Sequence, residues 1–209
     1  KTKMVVLEAG IGGRYDSTRI LTGDFAALTS VSLEHTEILG ASEALIAFDK
    51  MDILNAGGTL VVGQMKADLL VKIKSYGKIK GIETLCIQDL CQVKRVEYVS
   101  DKMFLDLEID GSIFKNLEVN LVGEHQVSNV QVCILLLKRW LKKHYPTISK
   151  PQFEAAIRIG LVQINWKGRF QKINTAPNIY IDVGHTVNAF QLLVESIQKM
   201  ASRKWLLVI

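Results

Sequence analysis

Hydrophobic and polar positions follow two rhythms along the chain. Up to about Gln92, short apolar runs bounded by glycine alternate with amphipathic stretches. Met4 to Leu7 reads as a short buried parallel strand that ends at the turn Gly10, Gly12, Gly13. Phe25 to Val31 reads as a second strand and Thr59 to Val62, after Gly57 and Gly58, as a third. Ser42 suits the cap of a helix running to about Leu54. Asp68 to Gln92 reads as helix then strand, broken at Gly77. Strands alternating with helices predict an α/β fold with a parallel sheet and crossover connections.

From Met103 the period becomes two. Leu105, Leu107 and Ile109 alternate with Asp106, Glu108 and Asp110, and Ile113, Leu117, Val119 and Leu121 continue the pattern. Asp110-Gly111 between the two runs is a hairpin-turn signal. A long helix is expected over about Val127 to Lys143, with an apolar stripe and a basic C-terminal end that complements its dipole. Pro146 and Pro151 punctuate the next connection, and a helix of about Gln152 to Ile159 follows. Asn165 to Gly168 looks like a linker. The strand Ile179 to Ile181, a helix of about Asn188 to Met200 and the strand Leu206 to Ile209 then begin a second α/β domain. The expected division is therefore 1–164, a linker at 165–168, and 169–209.

Composition narrows the function classes. The 209 residues are 48% hydrophobic, which supplies a sizeable core. The net charge of +5 is scattered, apart from Lys138, Arg139, Lys142 and Lys143. No basic stripe is interleaved with aromatics, so a nucleic-acid partner is not expected and an anionic small molecule is. Three cysteines (Cys86, Cys91, Cys133) form neither a CxxC pair nor an even set, which favours a reduced, cytoplasmic protein. No apolar run approaches the roughly 18 residues of a membrane span. The chain opens on strand-like KTKMVVLE and closes on WLLVI, which reads as an internal fragment.

Several residues carry candidate chemistry. Glu8 and His35 follow the first two expected strands, and ligands of parallel sheets bind beyond the strands' carboxyl ends. A carboxylate with an imidazole suits a divalent ion that keeps waters and phosphates as its other ligands. The alternative is that Glu8 caps the glycine turn and His35 starts a helix. Lys50 shares a helix face with Ile46, Ala47, Ile53 and Leu54, where a lysine is costly unless paired or neutral. A neutral amine reacts with carbon dioxide to give a carbamate, a long carboxylate suited to metal or phosphate work; the alternative is a lysine snorkelling at a helix edge. Asn129, near the start of the long helix, has the groups to read an adenine edge; the alternative, and the favoured one for the residue alone, is ordinary helix polarity. Arg169 follows a glycine hinge and has a fork of donors for phosphate or ribose. Asp182 and His185 lie past a strand's carboxyl end, as nucleotide contacts or as turn-formers. No G-x-x-x-x-G-K-[ST] loop occurs.

Four islands occur in order: LEAGIGGR with its trailing YDSTRI, SLEHTEILG with IAFDK, GEHQVSN, and WKGRF followed by YIDVGH. Together they resemble the folylpolyglutamate synthase/dihydrofolate synthase family of the Mur-ligase superfamily. The resemblance implies a P-loop-type, mostly parallel sheet domain with a β-hairpin section, then the start of a Rossmann-like glutamate-ligase domain. It implies an ATP-dependent ligase that activates a folate or dihydropteroate carboxylate as an acyl phosphate, which L-glutamate then attacks. By position, Glu8 and His35 match magnesium ligands and Lys50 the carbamylated lysine. Asn129, Arg169 and Asp182 match ATP contacts, and His185 the histidine near the transferred phosphate. Such proteins are usually monomeric, and no membrane is involved.

Departures exist. Glu34 and Asp49 stand where the family usually has Asp and Glu, Arg19 replaces a usual Asn, and Gly184-His185-Thr186 replaces Ala-His-Asn. The competing readings are another Mur-type amino-acid ligase and a non-catalytic nucleotide-binding relative. With no phosphate-binding loop in the chain, these 209 residues alone are expected to lack ligase activity. Incubating them with ATP, glutamate and a folate checks this, and a lengthened folate would refute it.

Overall fold

The computed structural model describes residues 4–21, 23–99, 101–185, 187–199 and 206. After a 3-10 turn at Ser17–Ile20, the elements in order are β1 (Phe25–Leu28), α1 (Thr36–Leu39), α2 (Glu43–Met51), β2 (Thr59–Val62), α3 (Ala67–Lys80), β3 (Glu83–Cys86) and α4 (Ile87–Leu90). There follow β4 (Cys91–Val99), β5 (Lys102–Ile109), β6 (Ser112–Val119), α5 (Glu124–His144), α6 (Lys150–Val162), β7 (Gln171–Thr175), β8 (Asn178–Ile181) and α7 (Val187–Lys199). The chain divides into two compact units, residues 1–90 with 131–146, and residues 91–130 with 147–209.

In the first unit β1, β2 and β3 form a parallel sheet in that order, with Ala26 opposite Leu60 and Leu60 opposite Thr84. Every residue of β2 is buried, as a central parallel strand covered on both faces requires. Its core joins Met51 and Leu54 of the α2 end to Leu60 and Val62 of β2 and to Leu69 and Ile73 of α3. Ser42 caps α2 by accepting from the Leu45 amide.

Two expectations fail in this unit. Met4 to Leu7 are exposed and belong to no strand among the described residues, with Val6 82% exposed. An apolar run becomes a strand only where a neighbouring strand pairs with it, and no ladder reaches this one. Gly77 does not break α3, which runs through it to a left-handed cap at Gly81. Its reason is close packing, since a Cβ there would stand 2.1 Å from Thr84 Oγ1.

The second unit is built on an antiparallel sheet, β4-β5-β6. Met103, Leu105, Leu107 and Ile109 are buried in strict alternation. Asp110 and Gly111 form the two-residue loop, both with positive φ (47° and 74°), and place Ile109 opposite Ser112. The expected alternation over β6 fails at one residue: Phe114 is buried and Ile113 is exposed. A register shift between Leu105 and Leu107 accounts for it. Opposite the shift, Asn116 adopts φ 51°, its amide donating to Asp106 Oδ1 at 2.7 Å and its side chain accepting from Arg95 at 2.8 Å. Phe114 then meets Phe153 of α6 edge-on at 6.2 Å.

β4 was not anticipated, because its burial is partial and its sequence, Cys91 to Val99, is half charged or polar. β7 is likewise new; it pairs antiparallel with β8, with Thr175 opposite Asn178. The expected strand Leu206 to Ile209 lies outside the described residues except for Leu206. No described helix is long and apolar enough to cross a membrane.

Gly77→Ala should destabilise the protein by about 1–3 kcal/mol, despite the helix propensity alanine adds. Adding Thr84→Ala, which removes the clashing hydroxyl, should recover most of that loss. Chemical denaturation of both variants checks this, and an additive double mutant would show that the contact is not the cause.

Candidate functional site

The glycine turn is held by acids downstream of it. Asp16 Oδ2 accepts from the Gly10 amide at 2.8 Å and the Ile11 amide at 3.1 Å, while Oδ1 accepts from Thr18. The Thr18 bonds, joined by those of Gly10 and Ile11, hold its carboxyl down at about 2. Asp49 Oδ1 accepts from the amides of Gly13 at 3.0 Å and Arg14 at 3.3 Å. A Cβ on Gly13 would lie 2.5 Å from the Lys50 carbonyl oxygen, so the turn rests on the end of α2. Glu8 does not cap this turn in any of these bonds, and it is exposed.

Asp52, at the C-cap of α2, is 5% exposed. It receives Arg14 at 2.7 Å, Lys80 at 2.8 Å and the Tyr76 hydroxyl at 2.9 Å. Burial pushes its carboxyl upward, but Lys80, Tyr76 and Arg14 outweigh that and leave it below the ordinary range. The pairing gathers the glycine turn, α2 and α3 at one carboxylate.

His35 starts α1 in a left-handed conformation, φ 48°, with no side-chain cap bond, and is exposed. Beside it in sequence, Glu34 lies 3.3 Å from Lys50 Nζ. The Lys50 side chain is 23% exposed on a helix whose Ile46, Ala47 and Met51 are fully buried. Of the two ways to relieve an apolar-face lysine, the structure shows pairing. Two of the four sequence islands thus meet within the first unit.

In the second unit, Asn129 Nδ2 donates to Gln126 Oε1 at 3.1 Å, and Gln126 Nε2 lies 2.9 Å from His125 Nε2. Burial holds the His125 imidazole below its ordinary range; Asp182 acts upward on it and Arg169 downward. Asp182 is a turn-former: Oδ2 accepts from the Phe170 amide at 2.8 Å and Oδ1 from the Gly184 amide at 2.7 Å. Each oxygen keeps a further lone pair for a ligand hydroxyl. Arg169 is exposed and lines a cavity of about 400 Å³ with Asn120, Trp166 and Lys172. His185 is exposed, its Nδ1 3.2 Å from the Val183 carbonyl. Thr186 lies outside the described residues.

Among the described residues no group of three or more His, Cys, Asp or Glu forms a metal cluster. Magnesium is an ion commonly held by only one or two protein ligands, with waters and phosphate oxygens completing its shell, and Glu8 and His35 are both exposed. His125, Gln126, Asp49 and Asp52 were missed; the signal available was the place of the first three inside the ordered islands, with Asp52 two residues past the end of one.

A profile of the Mur ligase middle domain matches residues 1–137. The chain belongs to the Mur ligases. This Mur ligase chain is 30% identical over 201 residues to the folylpolyglutamate synthase of Lacticaseibacillus casei, covering 96% of the chain and 46% of that protein. It is 26% identical over 199 residues to the dihydrofolate synthase/folylpolyglutamate synthase of Bacillus subtilis, covering 95% of the chain and 45% of that protein. An FPGS–AMPPCP–folate complex superposes with a TM-score of 0.85 at 28% identity, covering 94% of the chain and 47% of that structure. The chain spans about half the length of the curated relatives it matches.

Asp52→Ala should destabilise the first unit by about 2–3 kcal/mol, below the usual cost of breaking a buried pair because Arg14 and Lys80 are each 43% exposed. A carboxyl lowered by folding contributes stability above its unfolded value near 4, and loses it as pH falls through the folded value. The gap between wild type and Asp52→Asn in urea melts should accordingly be full at neutral pH and shrink below about pH 4. A gap that does not change with pH would contradict the pairing.

Proposed function

We propose that this chain is the nucleotide- and metal-handling part of an ATP-dependent ligase that adds L-glutamate to a folate or dihydropteroate carboxylate. The observation that carries the reading is the match over nearly the whole chain to folylpolyglutamate and dihydrofolate synthases, joined to a 0.85 TM-score against a structure holding AMPPCP and folate. In this reading a carboxylate oxygen attacks the γ-phosphorus of ATP and ADP leaves. The glutamate amine then attacks the acyl carbon, phosphate leaves, and an amide bond remains.

The residues divide the work. Asn129 takes the adenine edge, Arg169 the phosphates or ribose, and Asp182 a ribose hydroxyl with its spare lone pairs. Glu8 and His35 hold magnesium, which neutralises charge on the phosphates. Lys50, as amine or carbamate, acts next to that site, positioned by α2 and Glu34. His185 is the donor placed near the transferred phosphoryl group. Residues 1–164 form the ATPase-type domain, 165–168 the linker and 169–209 the start of the glutamate-ligase domain. The protein works as a cytoplasmic monomer, without nucleic acid or membrane.

The full-length protein, given ATP, glutamate and either tetrahydrofolate or dihydropteroate, should release ADP only when both acceptor and glutamate are present. Mass spectrometry should then show a product heavier by one glutamyl residue. Lys50→Ala and His185→Ala should each lower kcat on the order of 10²-fold or more. Turnover of a UDP-muramyl acceptor in place of the folate would overturn the substrate assignment.

A further inference from the structure

The amide of Asn129 can present an oxygen and an N–H to a base in either of two orientations, and recognition requires one of them. We propose that His125 is a positioning residue that fixes this orientation through Gln126, and so sets the preference of the site for adenine. The inference rests on the proposed role of Asn129 as the adenine contact.

The geometry runs in one direction. Gln126 is 8% exposed, so its carboxamide must find partners within the protein. Its Nε2, which only donates, faces His125 Nε2 at 2.9 Å, an arrangement that pairs with the tautomer in which that ring nitrogen is the lone-pair acceptor. In that tautomer the imidazole is neutral with its proton on Nδ1, an atom buried without a partner among the described residues. Burial favours that neutral form, and Arg169 nearby adds to the effect while Asp182 opposes it.

With its nitrogen committed to His125, Gln126 turns its oxygen to Asn129, which donates to it at 3.1 Å. Asn129 is left with its oxygen and one N–H. That donor–acceptor pair complements the N6–H and N7 of adenine, whereas guanine offers two acceptors there. The ring itself is confined: a Cβ on Gly123 would stand 2.7 Å from His125 Cε1 and 3.0 Å from Nδ1. An imidazolium, or the other tautomer, would set N–H against N–H and favour the reversed amides.

The test uses the full-length protein, with KM for ATP and for GTP, kcat, and thermal melting of each variant. His125→Phe keeps a ring but removes the acceptor. It should raise KM for ATP about tenfold, narrow the ATP-over-GTP preference about tenfold, and leave kcat within about twofold. His125→Gln, whose carbonyl can accept from Gln126, should recover most of the affinity and preference. If His125→Phe melts before assay, His125→Gln decides alone: values near wild type support the relay, and lost preference overturns it. Asn129→Ala separates the two levels of the argument. If Asn129→Ala leaves KM for ATP unchanged, the adenine role of Asn129 fails. If it raises KM while His125→Phe does not, the role stands and the relay is overturned.

Discussion

A buried carboxylate at the end of a helix is the constraint around which the first unit is arranged. Asp52 sits at the C-cap of α2, where the helix dipole is negative and water is nearly absent. Both conditions oppose a charge there, so the position is tenable only with donors brought from elsewhere. Arg14 comes from the glycine turn, and Tyr76 and Lys80 from α3. Phe48 of α2 stacks on Tyr76 with ring centres 4.2 Å apart, so apolar packing holds the same junction. The carboxylate thereby specifies which segments meet at the α2 end.

The last turn of α2 extends that logic. Successive helical residues point about 100° apart, so Asp49, Lys50 and Asp52 address different neighbours. Asp49 takes the backbone amides of the glycine turn, Lys50 takes Glu34 beside His35, and Asp52 takes α3 and Arg14. One helical turn therefore positions the segments that carry Glu8, His35 and Lys50. This also explains why the glycines are needed. The turn lies so close to the α2 backbone that Gly13 has no room for a side chain. A phosphate-binding role is not required to account for them.

The α/β character, the hairpin at Asp110-Gly111 and the capped start of α2 were legible because each rests on a local rule of periodicity or turn chemistry. The failures share a cause of another kind, namely a non-local partner. Met4 to Leu7 has strand composition, yet a strand is a relation between two segments. Gly77 looks like a breaker until Thr84, on another element, is seen to need its space. Ile113 was placed inward by counting in twos, and the Asn116 bulge, fastened by Asp106 and Arg95, displaces the count by one. The candidate site shows the same division. The residue types and order of the islands were readable, whereas the Asp49 carboxylate that fastens the glycine turn to α2 acts across 36 residues.

Asp182 and Asn129 show why a residue's role is rarely one of two alternatives. Asp182 binds two backbone amides and so is a turn-former, and those bonds fix the carboxylate in a single orientation. A fixed carboxylate with lone pairs to spare is a better ligand than a free one, because less conformational entropy is lost on binding. The structural role thus supports the proposed one and does not compete with it. The same holds for Asn129, whose bond to Gln126 uses one of its donors and orients the rest. What a ligand would meet in this unit is a set of polar groups whose directions are set by hydrogen bonds one residue behind them.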